Sequence, residues 1–167
     1  MAPKVSIIMG STSDLNVMEA AAKILDDFGI PFEMNALSAH RTPSEVEHFA
    51  RTARDRGIKV IIAGAGMAAH LPGVIAAMTP LPVIGVPIKA SLEGMDSLLA
   101  VVQMPPGIPV ATVAINGSLN AALLAVQILA SGDGEVMQKF ILYKEGLKDK
   151  IVKANEELKN IQYKFKV

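Results

Sequence analysis

Five apolar runs that do not alternate constrain this chain more than any other feature: Val5-Met9, Phe32-Leu37, Val60-Ala63, Val83-Val86 and Ile108-Ile115. Continuous apolar strands are what a sheet covered on both faces requires. Helical patterns lie between most of the runs, giving the order βαβαβαβαβα. That alternation predicts an α/β fold, a flavodoxin-like three-layer α/β/α sandwich. With right-handed crossovers its five-stranded parallel sheet takes the order 2-1-3-4-5. At 167 residues the chain suits one domain.

Helix signals agree with this reading. Ser13 or Asp14 can cap the first helix, Met18, Ala22, Leu25 and Phe28 form its stripe, and Gly29 with Pro31 stops it. The second is predicted to start with Thr42 as N-cap, Pro43 at the first helical position and Glu45 completing a capping box. A short third helix is expected from about Leu71, a fourth over Met95-Met104 and a fifth over Ser118-Ala130. Residues 1–132 thus read as the α/β catalytic domain and 133–167 as its helical extension. In that extension Val136, Phe140, Tyr143, Leu147, Ile151, Ala154, Leu158 and Ile161 keep helical spacing, with Gly146 a candidate kink. The helix could pack on its own subunit or reach over a neighbour.

Three strands are each followed by a segment of small and polar residues: Gly10-Ser11-Thr12-Ser13-Asp14, Ser38-Ala39-His40-Arg41-Thr42-Pro43, and Ala63-Gly64-Ala65-Gly66-Met67-Ala68-Ala69-His70, the last continued by Leu71. In the predicted order strands one, two and three are neighbours, so these segments meet at the carboxyl edge beside the topological switch, where open α/β sheets bind ligands. Gly10, Ser11 and Ser13 can present N–H groups and hydroxyls to an anion, or can form an ordinary strand-to-helix turn. Asp14 would repel a phosphate set against it, so ribose hydroxyls suit it better. Arg41 supplies a positive fork matched to phosphate, or a surface salt bridge. His40 is the acid/base candidate, because imidazole alone has an unperturbed pKa near neutrality. His70 could orient a neighbour, bond the substrate or transfer a proton, whereas His48 falls outside the apolar stripe of its helix and reads as solvated.

Composition narrows the chemistry. Sixteen basic residues balance sixteen acidic ones, which argues against nucleic acid or an anionic membrane as partner. Cysteine is absent, so disulfides and thiol chemistry are excluded and a cytoplasmic location is expected. Val5-Met9 is too short for a signal core or a membrane span. Half the residues are hydrophobic with few aromatics, and that Ala-rich apolar surplus predicts a homo-oligomer. Gly64-Ala65-Gly66-Met67-Ala68-Ala69 fits G-x-G-x-x-A, but no acidic residue ends the next strand and Pro72 crowds the helix start. Tyrosines placed only in the terminal helix, together with the absence of Trp, argue against a flavin. Ala63-Gly64 stands where a phosphate-accepting receiver needs Asp. The three histidines lack metal-site spacing, so no metal is expected.

The segments MGSTSD, SAHRTP, AGAGMAAHLPG, LPVIGVP, DSLLAVVQMPPGIPVATVAI and NAALLAVQIL resemble those of the class I 5-(carboxyamino)imidazole ribonucleotide mutase family. The related branch that carboxylates aminoimidazole ribonucleotide directly has Lys-Gly in place of Arg41-Thr42 and lacks AHLPG. The resemblance implies a cofactor-free, metal-free migration of a carboxyl group from the exocyclic nitrogen of a ribonucleotide to its imidazole ring carbon. It implies that His40 delivers the proton to that nitrogen and later removes the ring proton. It assigns phosphate and ribose contacts to Ser11, Asp14, Ser38 and Arg41, and a cover over the base and migrating carboxylate to the segment from Gly64 through Ala69 to His70. It further implies a homo-octamer. Met67 stands where the family commonly has Gly, the Asn116-Gly117-Ser118 connection is shorter than in many members, and the tail after Gly132 matches poorly. Direct carboxylation and a noncatalytic nucleotide-binding module are the competing expectations.

Overall fold

The computed structural model describes residues 2–167. Five parallel strands, β1 (Val5–Met9), β2 (Phe32–Ala36), β3 (Val60–Gly66), β4 (Val83–Ile88) and β5 (Ala111–Thr112), form one sheet in the order β2-β1-β3-β4-β5. Six helices join and follow them: α1 (Leu15–Asp27), α2 (Pro43–Thr52), α3 (Leu71–Met78), α4 (Met95–Val102), α5 (Ser118–Ala130) and α6 (Gly134–Lys159). The strand order and the three layers are those expected from the sequence.

Two apolar cores explain why the strand sequences do not alternate. On one face Ile7, Ile62, Ile84 and Val86 pack against Met18 and Leu25 of α1 and Ala121, Ala122, Ala125 and Val126 of α5. On the other, Ile8, Ile61 and Ala63 meet Val46 and Phe49 of α2, Ile75 of α3 and Val101 of α4. Each fully buried Ile or Leu contributes about 1.5–3 kcal/mol relative to an exposed one. Alanines on α5 allow it to lie close against both α1 and the sheet. Gly64 serves the same close approach from the sheet side, because a Cβ there would sit 2.5 Å from Met18 Sδ.

Several boundaries depart from the sequence reading, each for a local reason. β2, at the edge, is only half-buried: Phe32 and Met34 face the core while Glu33 and Asn35 face outward. Glu33 is satisfied there by both carboxylate oxygens on Arg56 Nη1, at 2.9 and 2.7 Å, and by the Ser6 hydroxyl at 2.9 Å. β3 and β4 run on to Gly66 and Ile88, past the expected ends, since the two strands pair as far as Gly66 with Ile88. β5 shrinks to two residues because Pro109 has no N–H for a ladder and Asn116 turns the chain at a φ of 57°. α4 stops at Val102 because Met104 precedes Pro105, whose ring disfavours helical geometry one residue upstream.

Helix starts differ too. Ser11, not Ser13 or Asp14, caps the 3₁₀ turn at Thr12–Asp14 that leads into α1: its hydroxyl accepts from Ser13 N at 3.3 Å and Asp14 Oδ2 accepts from Ser11 N at 3.1 Å. Thr42 occupies the N-cap position of α2 and its carbonyl accepts from Val46 N at 3.1 Å, but its side chain makes no cap bond, so the box with Glu45 does not form. Its hydroxyl is engaged by Ser38 instead, accepting from Ser38 N at 2.9 Å and donating to Ser38 O at 3.1 Å.

The extension is one helix, continuous through Gly146. Asp133 caps it, accepting from Glu135 N and Val136 N at 3.1 and 3.2 Å. Its first three turns are fixed by Phe140 and Tyr143 against Phe28 and by Lys139 Nζ donating to Phe28 O at 2.9 Å. Every residue from Lys144 to Val167 is exposed. No helix among the described residues is long and apolar enough to cross a membrane.

Candidate active site

The β1–α1, β2–α2 and β3–α3 loops meet at the carboxyl edge around a cleft of about 440 Å³. Gly10, Ser11, Ser13 and Asp14 line it from the first connection, Ser38, Ala39, His40 and Arg41 from the second, and from the third Ala65 and Gly66 at the end of β3, Met67, Ala68 and His70 of the loop, and Leu71 at the start of α3. Gly64 and Ala69, also expected at the site, lie behind its wall: Gly64 packs on Met18 and Ala69 is fully buried. Ala90 lines the cleft from the end of β4 and escaped the sequence reading. Its signal was the strand order itself, which sets β4 beside β3. A larger groove of about 570 Å³ between β2 and α2 holds His48 and Arg56 but none of the residues that line the cleft. Its acid on β2, Glu33, is already paired with Arg56.

The two candidate histidines touch. His40 Nε2 lies 2.7 Å from His70 Nδ1, with the ring centroids 4.9 Å apart and the planes at 79°. One of these nitrogens carries the proton and the other accepts it, so the tautomer of each ring is tied to that of its partner. The contact leaves His40 Nδ1 and His70 Nε2 for other partners. Both side chains are exposed to the cleft.

Arg41 bridges two loops. Its Nη2 donates to Gly10 O at 3.0 Å, and its Nε and main-chain N donate to Ser38 Oγ at 3.3 and 3.2 Å. All of these acceptors are neutral, so the guanidinium keeps its positive charge available to an anionic ligand. Thr42, by clamping Ser38 at both its N–H and its carbonyl, fixes the turn that presents His40 and Arg41.

Asp14 sits between the cap and the cleft. Burial pushes its carboxyl above the usual range, and hydrogen bonds from the Ser11 and Gly10 backbone and from Ser13, with the charge of Arg41, offset part of that rise. A carboxylate held here at neutral pH costs stability that a binding role would justify. Because the folded chain keeps the proton more tightly than the unfolded one, stability falls as pH rises through the window between the ordinary and raised values, then levels off. Asp14→Asn removes that dependence. The variant is expected to melt higher than the parent at neutral pH yet bind ligand more weakly, as thermal melts across pH beside a titration will check.

The third loop is the most strained part of the cleft. Met67 adopts a φ of 56° and is 60% exposed. Successive tight turns follow it, with Ala69 N donating to Met67 O and His70 N to Ala68 O, both at 2.8 Å. Those turns aim His70 back at His40. Among the described residues no cluster of His, Asp or Glu has a geometry that could hold a metal ion.

The family model described as AIR carboxylase matches residues 4–150. The N5-carboxyaminoimidazole ribonucleotide mutase of Pyrococcus abyssi is 63% identical over 147 residues, covering 87% of this chain and 84% of the relative. The phosphoribosylaminoimidazole carboxylase of Saccharomyces cerevisiae is 58% identical over 165 residues, 96% of this chain but only 28% of that longer protein. In three dimensions Treponema denticola PurE matches with a TM-score of 0.85 at 32% identity, over 95% of this chain and 99% of that one.

Proposed function

Because the chain belongs to the AIR carboxylase family, we propose that the three-loop cleft is where it isomerises N5-carboxyaminoimidazole ribonucleotide to the 4-carboxylate of aminoimidazole ribonucleotide. The enzyme is a mutase of purine biosynthesis. The observation that carries this placement is the His40–His70 contact directly beside Arg41 and Asp14.

The reaction moves one carboxyl group and leaves the net proton count unchanged. His40 donates a proton to the exocyclic nitrogen, the carbon–nitrogen bond breaks with its electron pair staying on nitrogen, and carbon dioxide is released inside the cleft. The electron-rich ring carbon then attacks carbon dioxide, and His40 takes up the proton which that carbon loses. One imidazole thereby starts and ends in the same state. His70 fixes which nitrogen of His40 faces the substrate. Arg41, Ser11 and Ser38 hold the phosphate, and Asp14 accepts from the ribose hydroxyls. Excluding water matters because carbon dioxide must meet the ring before it is hydrated or escapes.

We infer further that residues 1–132 carry the chemistry while the extension 133–167, held to its own chain as far as Tyr143, lies from there outward across a neighbouring subunit of a homo-oligomer, an octamer as the likeness to the mutase family implies. From Lys144 outward every residue is exposed, Leu147, Ile151 and Leu158 among them. A cytoplasmic location accords with a phosphorylated substrate, since burying such charges in a bilayer is prohibitive.

The competing reading, direct carboxylation of aminoimidazole ribonucleotide by carbon dioxide, is separated by supplying each substrate alone. We expect turnover of the carboxyamino compound with no added carbon dioxide. Product formed only from aminoimidazole ribonucleotide in a carbon-dioxide-dependent reaction would establish the other activity instead.

A further inference from the structure

The migrating group presents a retention problem. Once released, carbon dioxide is neutral, small and without a strong hydrogen-bonding handle, so walls rather than specific bonds must hold it until the ring carbon attacks. The walls of this cleft are mostly short. Ala39, Ala65, Gly66, Ala68 and Ala90 line it, and the only long apolar side chains beside them are Leu71 and Met67. Leu71 is buried at the start of α3 and cannot swing. Met67 is 60% exposed.

Its backbone is fixed where the side chain is free. A φ of 56° puts a non-glycine residue in the left-handed region, at a cost of about 1–2 kcal/mol. The Ala69 N to Met67 O bond holds the turn from one side. From the other, Gly66 lies so close to β4 that a Cβ on it would sit 3.1 Å from Ile88 O and 3.2 Å from Ala90 Cβ, so the loop is pressed against that strand. A glycine at position 67 would adopt this backbone without strain. The chain instead carries an unbranched thioether at the mouth of the cleft, a side chain with three rotatable bonds and a polarisable tip that adapts to what it covers.

We propose that Met67 is the retaining wall of the site: its side chain folds over the bound ribonucleotide and keeps released carbon dioxide against the ring. It makes no bond in the reaction and exchanges no proton. The inference rests on the mutase reading, because retention matters only where carbon dioxide is free between two steps; it concerns how this chain, with Met where the family commonly has Gly, meets that demand.

The test follows the fate of the carbon. Substrate labelled with carbon-13 in its carboxyl group is turned over in buffer containing unlabelled bicarbonate and carbonic anhydrase, and the label retained in the product is measured by mass. The parent enzyme is expected to keep its label. Met67→Ala, which removes the side chain but keeps a strained backbone, and Met67→Gly, which removes both, are each expected to raise the exchanged fraction roughly tenfold, equivalent to about 1.4 kcal/mol on the escape barrier. Met67→Leu, which keeps apolar bulk, should retain label as the parent does. Only the Gly variant should melt higher, by relief of the left-handed strain. Label retention in the Ala and Gly variants equal to the parent's overturns the proposal, and so does exchange in the Gly variant alone, which would assign retention to the backbone. A parent enzyme that fails to turn over the labelled substrate overturns the mutase reading itself, a result visible before any variant is compared.

Discussion

Replacing His40 with Asn should reduce turnover by at least about 10²–10⁴-fold, the range that one positioned acid/base group commonly supplies. The upper end is expected because in the proposed mechanism one imidazole serves two proton transfers in succession, and both fail together. Asn preserves the polar character and approximate reach of the side chain, and His40 is exposed on a turn held by Ser38 and Thr42, so the thermal midpoint should not move. Measured kcat, KM and melting temperature together check this. Nearly normal isomerisation by the Asn variant would sink the assignment. His48→Ala serves as the control: that imidazole lies in the β2–α2 groove, outside the cleft, and its loss should leave turnover intact.

The positions of His40 and His70 on one edge were legible in the sequence for a topological reason, whereas the direct contact between them was not. Strand order brings the ends of β1, β2 and β3 together whatever the loops contain, so the convergence of Ser11, Asp14, His40 and Arg41 on one edge follows from apolar patterning alone. The His40–His70 hydrogen bond depends instead on two consecutive tight turns after Met67, and no propensity rule supplies a left-handed methionine. Boundaries divide in the same way. β1 and α5 end where local signals say, at residues flanked by turns and caps with no tertiary competitor. At α2 a local rule loses to a competing contact: Thr42 has the right residue type and position for a cap, but bonding Ser38 satisfies its hydroxyl and shapes the turn that carries His40 and Arg41 as well. Gly64 and Ala69 read as loop residues because they are small, while their actual task is to let α1 and α3 close on the sheet behind the cleft.

Arg41 carries the second large effect. Arg41→Met should raise KM about 10- to 100-fold, since a charge-assisted hydrogen bond is worth about 1.5–3 kcal/mol and the guanidinium fork offers two to a phosphate. The chain has no net charge to draw in a dianion from a distance, so this local cation has no substitute. A purely structural role makes a different prediction. Arg41 also ties Gly10 O to Ser38 Oγ, and if that bridge were its only task, the Met variant would melt lower while KM stayed near the parent value. Inorganic phosphate separates the two without relying on the labile substrate: it should protect the parent enzyme against heat, and protection should vanish in Arg41→Met. Arg41→Lys should recover only part of the loss, because an ammonium restores the charge but cannot donate in parallel to two phosphate oxygens while also holding Ser38. Recovery to the full parent affinity would mean that charge alone, and not the fork, anchors the ribonucleotide.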